Sequence, residues 1–318
     1  MSTDVGALVE KAREGDPRSV GRLISLVENA SPQLREVMAA LAPHAGKARL
    51  IGLTGSPGVG KSTTTSALLS AFRGRGERVG VLAIDPTSPF SGGALLGDRV
   101  RMQDHALDPG VYIRSMGTRG NLGGVSWATP QAIRVLDAVG CDVVIIETVG
   151  VGQAEVAIAS LADSTVVMLA PGLGDGIQAA KAGILEIADL YVVNKADRDG
   201  ATQTVRDLKS MLTLGEKRAP GDWKPPVLST VSSKNEGITE FVEELDRHHQ
   251  WLTESGELER RRHRRAAEEI EVLAVTTLRE RMGDLSDGDL LGDLAAEVLA
   301  GKTDPYAAAD RLVAAVES

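Results

Sequence analysis

Aromatic side chains and cysteine are what this sequence has least of. Only 3% of its 318 residues are Phe, Trp or Tyr, although 42% are hydrophobic. A core would therefore be packed from small aliphatic side chains, which suits the buried strands of a parallel sheet. The single cysteine, Cys141, cannot form an intramolecular disulfide, so the chain needs no oxidising compartment and fits a reduced cytosol.

An excess of positive charge is also lacking. The chain carries 35 Lys and Arg against 44 Asp and Glu, a net charge of −9, which argues against general binding of nucleic acid. One basic run at 260–265, interrupted by His263, is expected to be the solvated face of a helix. No apolar run approaches the ~18 residues of a membrane span, and no signal segment is recognisable. We expect a soluble, cytoplasmic protein without membrane contact.

What the sequence does have is a change of periodicity along the chain. Residues 1–48 show apolar residues at helical spacing, and residues 49–237 alternate short apolar runs with turns and helical patterns. This alternation is typical of a parallel sheet with crossover helices. Residues 238–318 read as a helical extension, whose apolar stripe could pack on the main domain or on a second subunit. The predicted fold is α/β: a mostly parallel sheet flanked by helices, with helical extensions at both ends.

Seven apolar runs are candidate strands, and most of them end in a residue that can do chemistry. Because ligands of open α/β sheets bind beyond the carboxyl ends of the strands, we expect those endings to share one site. The predicted strands span residues 50–53, 79–84, 111–113, 143–146, 166–169, 190–193 and 227–228.

A glycine-rich motif follows the first predicted strand and opens a helical pattern, as a Walker A phosphate-binding loop requires. Its N–H groups would converge on phosphate oxygens, and the next helix would present its positive N-terminus. Lys61 is predicted to reach the β- and γ-phosphates and assist catalysis, and Ser62 to bind Mg²⁺. The nucleotide-binding residues predicted here are Gly55, Ser56, Pro57, Gly58, Val59, Gly60, Lys61, Ser62 and Thr63. The fold is therefore predicted to be that of a P-loop NTPase.

Carboxylates after two other strands are candidate metal ligands. Glu147 ends the strand at 143–146 and is predicted to hold Mg²⁺; the alternative is a carboxylate that caps the next helix. Asp85 and Asp98 are further candidate ligands, or else turn-forming residues of a solvated loop. Gly150 could contact the γ-phosphate through its backbone N–H, so we count it among the candidate catalytic residues.

The sequence Asn-Lys-Ala-Asp follows the strand at 190–193, with the spacing by which GTP-binding domains read guanine. A carboxylate at its fourth position can accept hydrogen bonds from the guanine N1–H and 2-amino groups. A later Ser-Ser-Lys turn could support the base from behind. The base-reading residues predicted are Asn194, Lys195, Asp197, Ser232, Ser233 and Lys234.

Taken together, these motifs resemble those of the methylmalonyl-CoA mutase-associated GTPases of the MeaB/ArgK type. The resemblance extends over essentially the whole chain, and the residues that carry it are the P-loop, 85–88, 97–102, 147–153, 174–178 and the closing Asp304-Pro305-Tyr306. It implies a homodimeric G protein that binds GTP or GDP with Mg²⁺ and hydrolyses GTP. It also implies a chaperone that gates cofactor loading of the adenosylcobalamin-dependent mutase and protects that enzyme.

One position departs from small Ras-like GTPases. Aligning residues 147–150 with their Asp-x-x-Gly motif puts Val151 where those proteins carry a water-orienting glutamine. Valine cannot orient a water, so we expect slow intrinsic hydrolysis. Arg101 and Lys181 are our candidates for the missing catalytic group. The alternative is that Arg101 pairs with a carboxylate and Lys181 is a solvated helix lysine.

Two other functions share a P-loop and stay open at this point. A metal-delivery GTPase, of the hydrogenase- or urease-maturation type, would need a cluster of metal ligands. The five histidines here are scattered, and only His248 and His249 are adjacent, with no cysteine at ligand spacing. A small-molecule kinase would transfer the γ-phosphate to an acceptor, and a P-loop serves either chemistry.

Overall fold

A computed structural model describes residues 4–85, 105, 107–117, 128–148, 153–172, 186–214, 219, 221–286 and 290–316. Within these residues, seven strands form one parallel sheet in the order β3-β2-β4-β1-β5-β6-β7. The strands are β1 (Arg49–Thr54), β2 (Val79–Asp85), β3 (Val111–Gly117), β4 (Val143–Thr148), β5 (Ser164–Leu169), β6 (Leu190–Asn194) and β7 (Val227–Thr230). The α/β prediction is confirmed, and each predicted strand lies inside or at the core of an observed one.

Eleven α-helices are found in the described part of the chain. They are α1 (Val5–Arg13), α2 (Pro17–Glu28), α3 (Leu34–Leu41), α4 (Lys61–Gly74), α5 (Thr129–Ala138), α6 (Gln153–Leu161), α7 (Ala201–Leu214), α8 (Ile238–Glu254), α9 (Glu257–Ser286), α10 (Leu290–Leu299) and α11 (Pro305–Val316). Aspartates begin three of them by accepting backbone N–H groups of the first turn: Asp4, Asp16 and Asp304. No helix in these ranges combines the length and the apolar character that crossing a bilayer requires.

The N-terminal helices cover one face of the sheet. Buried side chains of α1, α2 and α3 form one cluster with those of α5, α6 and strands β2, β3 and β4. Asp137 of α5 accepts the backbone N–H groups of Lys47 and Ala48 at 3.0 and 2.8 Å. The connection that leads into β1 is therefore hydrogen-bonded to this layer of helices.

Helices α4 and α8 cover the opposite face. Leu68, Leu69 and Phe72 of α4 and Phe241 of α8 pack with the buried side chains of β1, β2, β4 and β5. The strand interiors are almost wholly aliphatic, as the scarcity of aromatic residues predicted. Helix α4, which starts directly after the glycine-rich loop, is thus held against the sheet along its length.

A buried polar cluster lies at the amino-terminal edge of the sheet, away from the glycine-rich loop. Asp189 pairs with the guanidinium of Arg261 at 2.8 and 2.9 Å, and its carboxylate is 3.3 Å from Nε2 of His248. Nδ1 of that histidine is 2.8 Å from the hydroxyl of Ser164. The basic run at 260–265 is therefore not wholly a solvated face, because Arg261 reaches a buried carboxylate that local sequence does not reveal.

The chain divides into two compact units, Met1–Arg261 and Arg262–Ser318. The first contains the sheet, helices α1 to α8 and the start of α9, and the second contains the remaining helical residues. In the second unit several apolar side chains of α9 are exposed, among them Ile270, Leu273 and Leu278. The three-part division predicted at residues 48 and 237 stays a prediction.

Candidate nucleotide site

The glycine-rich loop joins the carboxyl end of β1 to the first residue of α4. Gly55 has a φ of 138°, and a Cβ at this position would lie 2.2 Å from the carbonyl oxygen of Met168 in β5. Gly60 has a φ of 100°, and its Cβ would lie 2.4 Å from the side-chain nitrogen of Asn194. Only glycine fits at these two positions. Any other residue would be strained at such a positive φ, and its Cβ would clash with the neighbouring atom.

Lys61 is buried at the base of this loop. Its ammonium group donates to the carbonyl oxygens of Gly55 and Ser56 at 2.5 and 3.0 Å. The cation is therefore held beside the loop whose N–H groups were predicted to bind phosphate. An ammonium in such a place can move onto an anionic oxygen by rotation of its flexible side chain.

Glu147 in β4 lies beside the start of α4. β4 pairs with β1, the strand that leads through the glycine-rich loop into α4, and the register sets Glu147 opposite Leu53. Its Oε1 accepts a hydrogen bond from the hydroxyl of Ser62 at 2.5 Å, and its Oε2 accepts one from the hydroxyl of Thr65 at 2.8 Å. All three side chains are buried. The carboxylate and hydroxyl oxygens beside the loop are the type of ligand that Mg²⁺ prefers, so these residues fit that ion.

The other predicted metal and catalytic residues are only partly within the described residues. Asp85 is the last residue of β2, two positions after Ala83, which pairs with Glu147. The backbone of Asp85 therefore lies at the same edge of the sheet as Glu147. The side chain of Asp85, together with Asp98, Arg101, Gly150 and Lys181, lies outside what the structure describes. Among the residues that it does describe, no three His, Cys, Asp or Glu side chains converge as metal ligands.

Asn194 joins the two halves of the predicted site. Its side-chain nitrogen donates to the carbonyl oxygen of Val59 at 2.9 Å. Its side-chain oxygen accepts from the hydroxyl of Thr230 at 3.1 Å, and from the backbone N–H and hydroxyl of Ser232 at 3.1 and 3.0 Å. The asparagine is thus bonded both to the glycine-rich loop and to the turn after β7.

Lys195 and Asp197 follow Asn194 at the surface. Lys195 adopts a left-handed φ of 57°, and its ammonium donates to the carbonyl oxygen of Gly58 at 2.6 Å. Lys234 pairs with the Asp197 carboxylate at 3.1 Å, and this hydrogen bond is the main reason that the pKa of Asp197 lies below its ordinary value. Ser233 lies beside Lys234 in the same turn and is exposed. The structure therefore brings all the predicted base-reading residues to one corner of the sheet edge.

Two residues at this site did not figure in the motif analysis. Thr64 and Thr65 belong to the first turns of α4, and both are wholly buried. Thr64 lies 2.7 Å from the hydroxyl of Ser232, and Thr65 donates to Glu147. A run of three threonines at the start of a helix was the available signal, because threonine is a poor helix former.

The profile of a family described as methylmalonyl Co-A mutase-associated GTPase MeaB matches residues 20–286 of this chain. The chain belongs to this family. The resemblance that the motifs indicated is confirmed, and the match covers the glycine-rich loop, Glu147 and the Asn-Lys-Ala-Asp motif alike.

Relatives of this MeaB-family chain carry names of the same kind. It is 47% identical over 308 residues to a protein of Pyrococcus horikoshii named as a GTPase, with 96% of each chain covered. It is 41% identical over 216 residues to the Caenorhabditis elegans methylmalonic aciduria type A homolog, a mitochondrial protein; the match covers 67% of this chain and 54% of that one.

A solved structure has the same fold. The crystal structure of an LAO/AO transport system kinase superposes with a TM-score of 0.73 and covers 100% of both chains, at 24% sequence identity. At this level of identity the likeness concerns the fold alone. It agrees with the P-loop NTPase fold predicted from the sequence.

Proposed function

We propose that this MeaB-family protein binds GTP and GDP with Mg²⁺ along the carboxyl edge of β1, β4 and β6, and hydrolyses GTP. The observation that carries the proposal is the bonding of Asn194 to Val59 on one side and to Ser232 on the other. A single nucleotide spans such a pair of motifs, with its phosphates on the loop and its base on the turn.

The base would be recognised at the Asp197 corner. Asp197 is ionised at neutral pH, and its hydrogen bond from Lys234 lowers its pKa further, so its carboxylate can accept from two N–H groups. Guanine presents two such groups side by side, whereas adenine does not. Lys195, bonded to Gly58 of the loop, would lay its aliphatic stem along the base, and residues 232–234 would support the base from behind.

The phosphates would lie over the glycine-rich loop, residues 55–60, with Thr63 beside them. Lys61 would leave the carbonyl groups of Gly55 and Ser56 to contact the β- and γ-phosphates. Ser62 and Glu147 would hold Mg²⁺, with Asp85 and Asp98 as further candidate ligands. When bound, Mg²⁺ neutralises charge that develops on the phosphate oxygens.

Hydrolysis by the protein alone is expected to be slow, since Val151 has no group that can orient a water. Gly150 is our candidate for the backbone N–H that contacts the γ-phosphate. Arg101 and Lys181 are our candidates for the stabilising cation. Supplying such a cation raises the rate by roughly 10³ to 10⁵ in comparable GTPases, so a partner that positions one of these side chains would control turnover.

We propose methylmalonyl-CoA mutase, or a closely related adenosylcobalamin enzyme, as that partner. The family description names association with this mutase, and the Caenorhabditis elegans relative carries the name of a methylmalonic aciduria protein. The protein would act as a chaperone that gates cofactor loading. We further propose a cytoplasmic homodimer whose contact includes exposed apolar residues of α9, such as Ile270 and Leu278.

The test is GTP turnover by the protein alone and with purified methylmalonyl-CoA mutase from the same source, with ATP as the control nucleotide. We expect a slow, GTP-specific rate that depends on Mg²⁺ and rises many-fold with the mutase. Lys61→Ala should abolish turnover. Lys209→Ala, which removes an exposed lysine from α7, is the matched control and should not change it.

Each outcome of this test bears on a different part of the proposal. Equal turnover of ATP and GTP would overturn the base-reading assignment and favour a kinase or another NTPase. GTP-specific turnover that the mutase leaves unchanged would remove the mutase as the partner while leaving the GTPase intact.

A further inference from the structure

Two adjacent threonines of α4 contact the two parts of the site: Thr65 contacts Glu147, and Thr64 contacts the turn at Ser232. We propose that Thr65 is a positioning residue for the metal-binding carboxylate of Glu147, and that Thr64 is a positioning residue for the base-reading turn at Ser232. The inference rests on the proposed function, because it concerns Mg²⁺ and guanine. Neither threonine would touch the nucleotide or the metal itself.

The position of the two residues in the helix makes this division possible. Consecutive residues of an α-helix project about 100° apart, so Thr64 and Thr65 reach different neighbours from one turn. Both side chains have 0% exposure, whereas Thr63 beside them is exposed. A buried hydroxyl needs a hydrogen-bond partner, and the partners of these two lie in different strands and turns of the site.

Thr65 fixes one oxygen of Glu147. Its hydroxyl donates to Oε2 at 2.8 Å, while the hydroxyl of Ser62 donates to Oε1. Glutamate has one more side-chain torsion than aspartate, so its carboxylate needs more than one contact to keep its orientation. Ser62 is itself a candidate metal ligand, so Thr65 is the hydroxyl to which we assign the holding of this carboxylate.

Thr64 is one end of a chain of hydroxyl groups that leads to the base-reading motif. Its Oγ1 is 3.0 Å from the carbonyl oxygen of Gly60 and 2.7 Å from Oγ of Ser232, which is 3.0 Å from Oδ1 of Asn194. Three contacts share two hydroxyl protons. The Gly60 carbonyl already accepts the backbone N–H of Thr64 at 2.9 Å. Either hydroxyl can supply the proton of the Thr64–Ser232 contact, because Oδ1 of Asn194 also accepts from the Thr230 hydroxyl and the backbone N–H of Ser232.

The consequence is that one helical turn supports two separate functions. Loss of the Thr65 hydroxyl should weaken the response to Mg²⁺, and loss of the Thr64 hydroxyl should weaken the discrimination of the base. A purely structural role in packing α4 would affect both properties together. The two variants can therefore separate positioning from general stabilisation.

The experiment uses the full chain and a fluorescent N-methylanthraniloyl derivative of GDP. The first readout is the free Mg²⁺ concentration that gives half-maximal retention of this probe. The second is the ratio of the IDP and GDP concentrations that displace half of it, since inosine lacks the 2-amino group of guanine. The variants are Thr65→Val, Thr64→Val and the corresponding serine substitutions, with Ser70→Ala of the same helix as the control for loss of an exposed hydroxyl.

We expect Thr65→Val to raise the required Mg²⁺ concentration about tenfold or more, as loss of a group that orients a metal ligand does, with the IDP-to-GDP ratio unchanged. Thr64→Val should reduce that ratio about three- to tenfold, the effect of one buried hydrogen bond, with the Mg²⁺ requirement unchanged. Thr65→Ser and Thr64→Ser should behave like the unaltered protein, because they keep the hydroxyl. If a valine variant does not fold, the alanine variant, which also lacks the hydroxyl, replaces it.

The inference is overturned if the two hydroxyl-free variants change both readouts alike or neither, or if the serine variants fail to restore them. Failure of the proposed function gives a different result: the unaltered protein then neither retains the GDP probe nor responds to Mg²⁺. Mg²⁺-dependent, guanine-selective binding by the unaltered protein, with no separation among the variants, would remove only the roles of the two threonines.

Discussion

At the scale of single residues, Asp197 and Lys234 are the pair on which base selection would depend. Their ion pair is surface-exposed on both sides, so it contributes little to stability by itself. It does hold the carboxylate at the corner where a base would lie. Replacing Asp197 by asparagine keeps the size of the side chain but turns one acceptor oxygen into an N–H donor. It should therefore alter base specificity more than the stability of the fold.

We expect Asp197→Asn to lower GDP affinity by about 10²-fold, because a charged acceptor of two hydrogen bonds is lost. XDP should bind the variant better than GDP does, since an amide N–H can donate to the additional oxygen of xanthine. Calorimetric titration with GDP and XDP measures both affinities. Asp199→Asn, two residues along and exposed, is the control. Unchanged GDP affinity in Asp197→Asn would contradict the base-reading assignment.

The residues of the site differ in how far sequence could predict them. Asn194, Lys195 and Asp197 stand together in a short motif at a strand end, so the motif and its placement along the chain predicted their role. Thr65 lies 82 residues from its partner Glu147, and Thr64 lies 168 residues from Ser232. No local pattern connects such pairs, because only the register of the sheet brings them together.

At the scale of elements, the close packing of α6 on β1 depends on a glycine in the strand. A Cβ at Gly52 would lie 2.8 Å from Cγ1 of Ile158 and 3.0 Å from Cβ of Ala162. Gly21 in the middle of α2 is different, since nothing lies within 4 Å of a Cβ built there. The two positions therefore predict opposite responses to the same substitution.

Gly52→Ala should destabilise the protein by about 1–3 kcal/mol, because the added methyl group overpacks the contact between strand and helix. Gly21→Ala should stabilise it by about 0.5–1 kcal/mol, because alanine loses less backbone entropy than glycine in a helix. Chemical denaturation of both variants measures the changes in free energy of unfolding. Stabilisation by both substitutions would show that packing around β1 is looser than the structure indicates.

Sequence patterns identified the seven strands because each has an apolar centre, but they underestimated some lengths. β3 was predicted to end at residue 113 and continues to Gly117. Its polar residue Arg114 is satisfied by Glu28 and Ser25 of α2. A charged residue inside a strand, paired by a distant helix, interrupts the apolar pattern that sequence analysis detects.

At the scale of the whole molecule, the Asp189 cluster connects the beginnings of β5 and β6 with α8 and the start of α9. Burial acts to raise the pKa of Asp189, but the hydrogen bonds from Arg261, with Nε2 of His248 also 3.3 Å away, outweigh it and lower the pKa below its ordinary value. A carboxyl with a lowered pKa contributes stability above its unfolded pKa of about 3.9 and loses it as the pH falls through the folded value. This cluster should therefore support the fold at neutral pH and weaken only below about pH 4.

Arg261→Met should cost about 3 kcal/mol of unfolding free energy at pH 7, because it leaves the Asp189 carboxylate buried without its main cation. It should also raise the pH at which acid unfolds the protein, since the pKa of Asp189 is then no longer held down as far. Urea denaturation at pH 7 and an acid titration followed by circular dichroism measure the two effects. Arg260→Met removes the neighbouring, exposed pairing with Glu257 and should change little; equal losses in both variants would refute a special role for the cluster.

The bonds of Asn194 to Val59, 135 residues earlier, and to Ser232 also have a consequence for synthesis on the ribosome. A chain emerging from its N-terminus exposes the glycine-rich loop long before β6 and the turn after β7 exist. A ligand that needs both halves cannot stabilise the growing chain during that interval. The first strands and their helices must then be stabilised by their own packing until Ser232 has emerged, so a nucleotide bound as we propose would stabilise the finished sheet and would not guide its assembly.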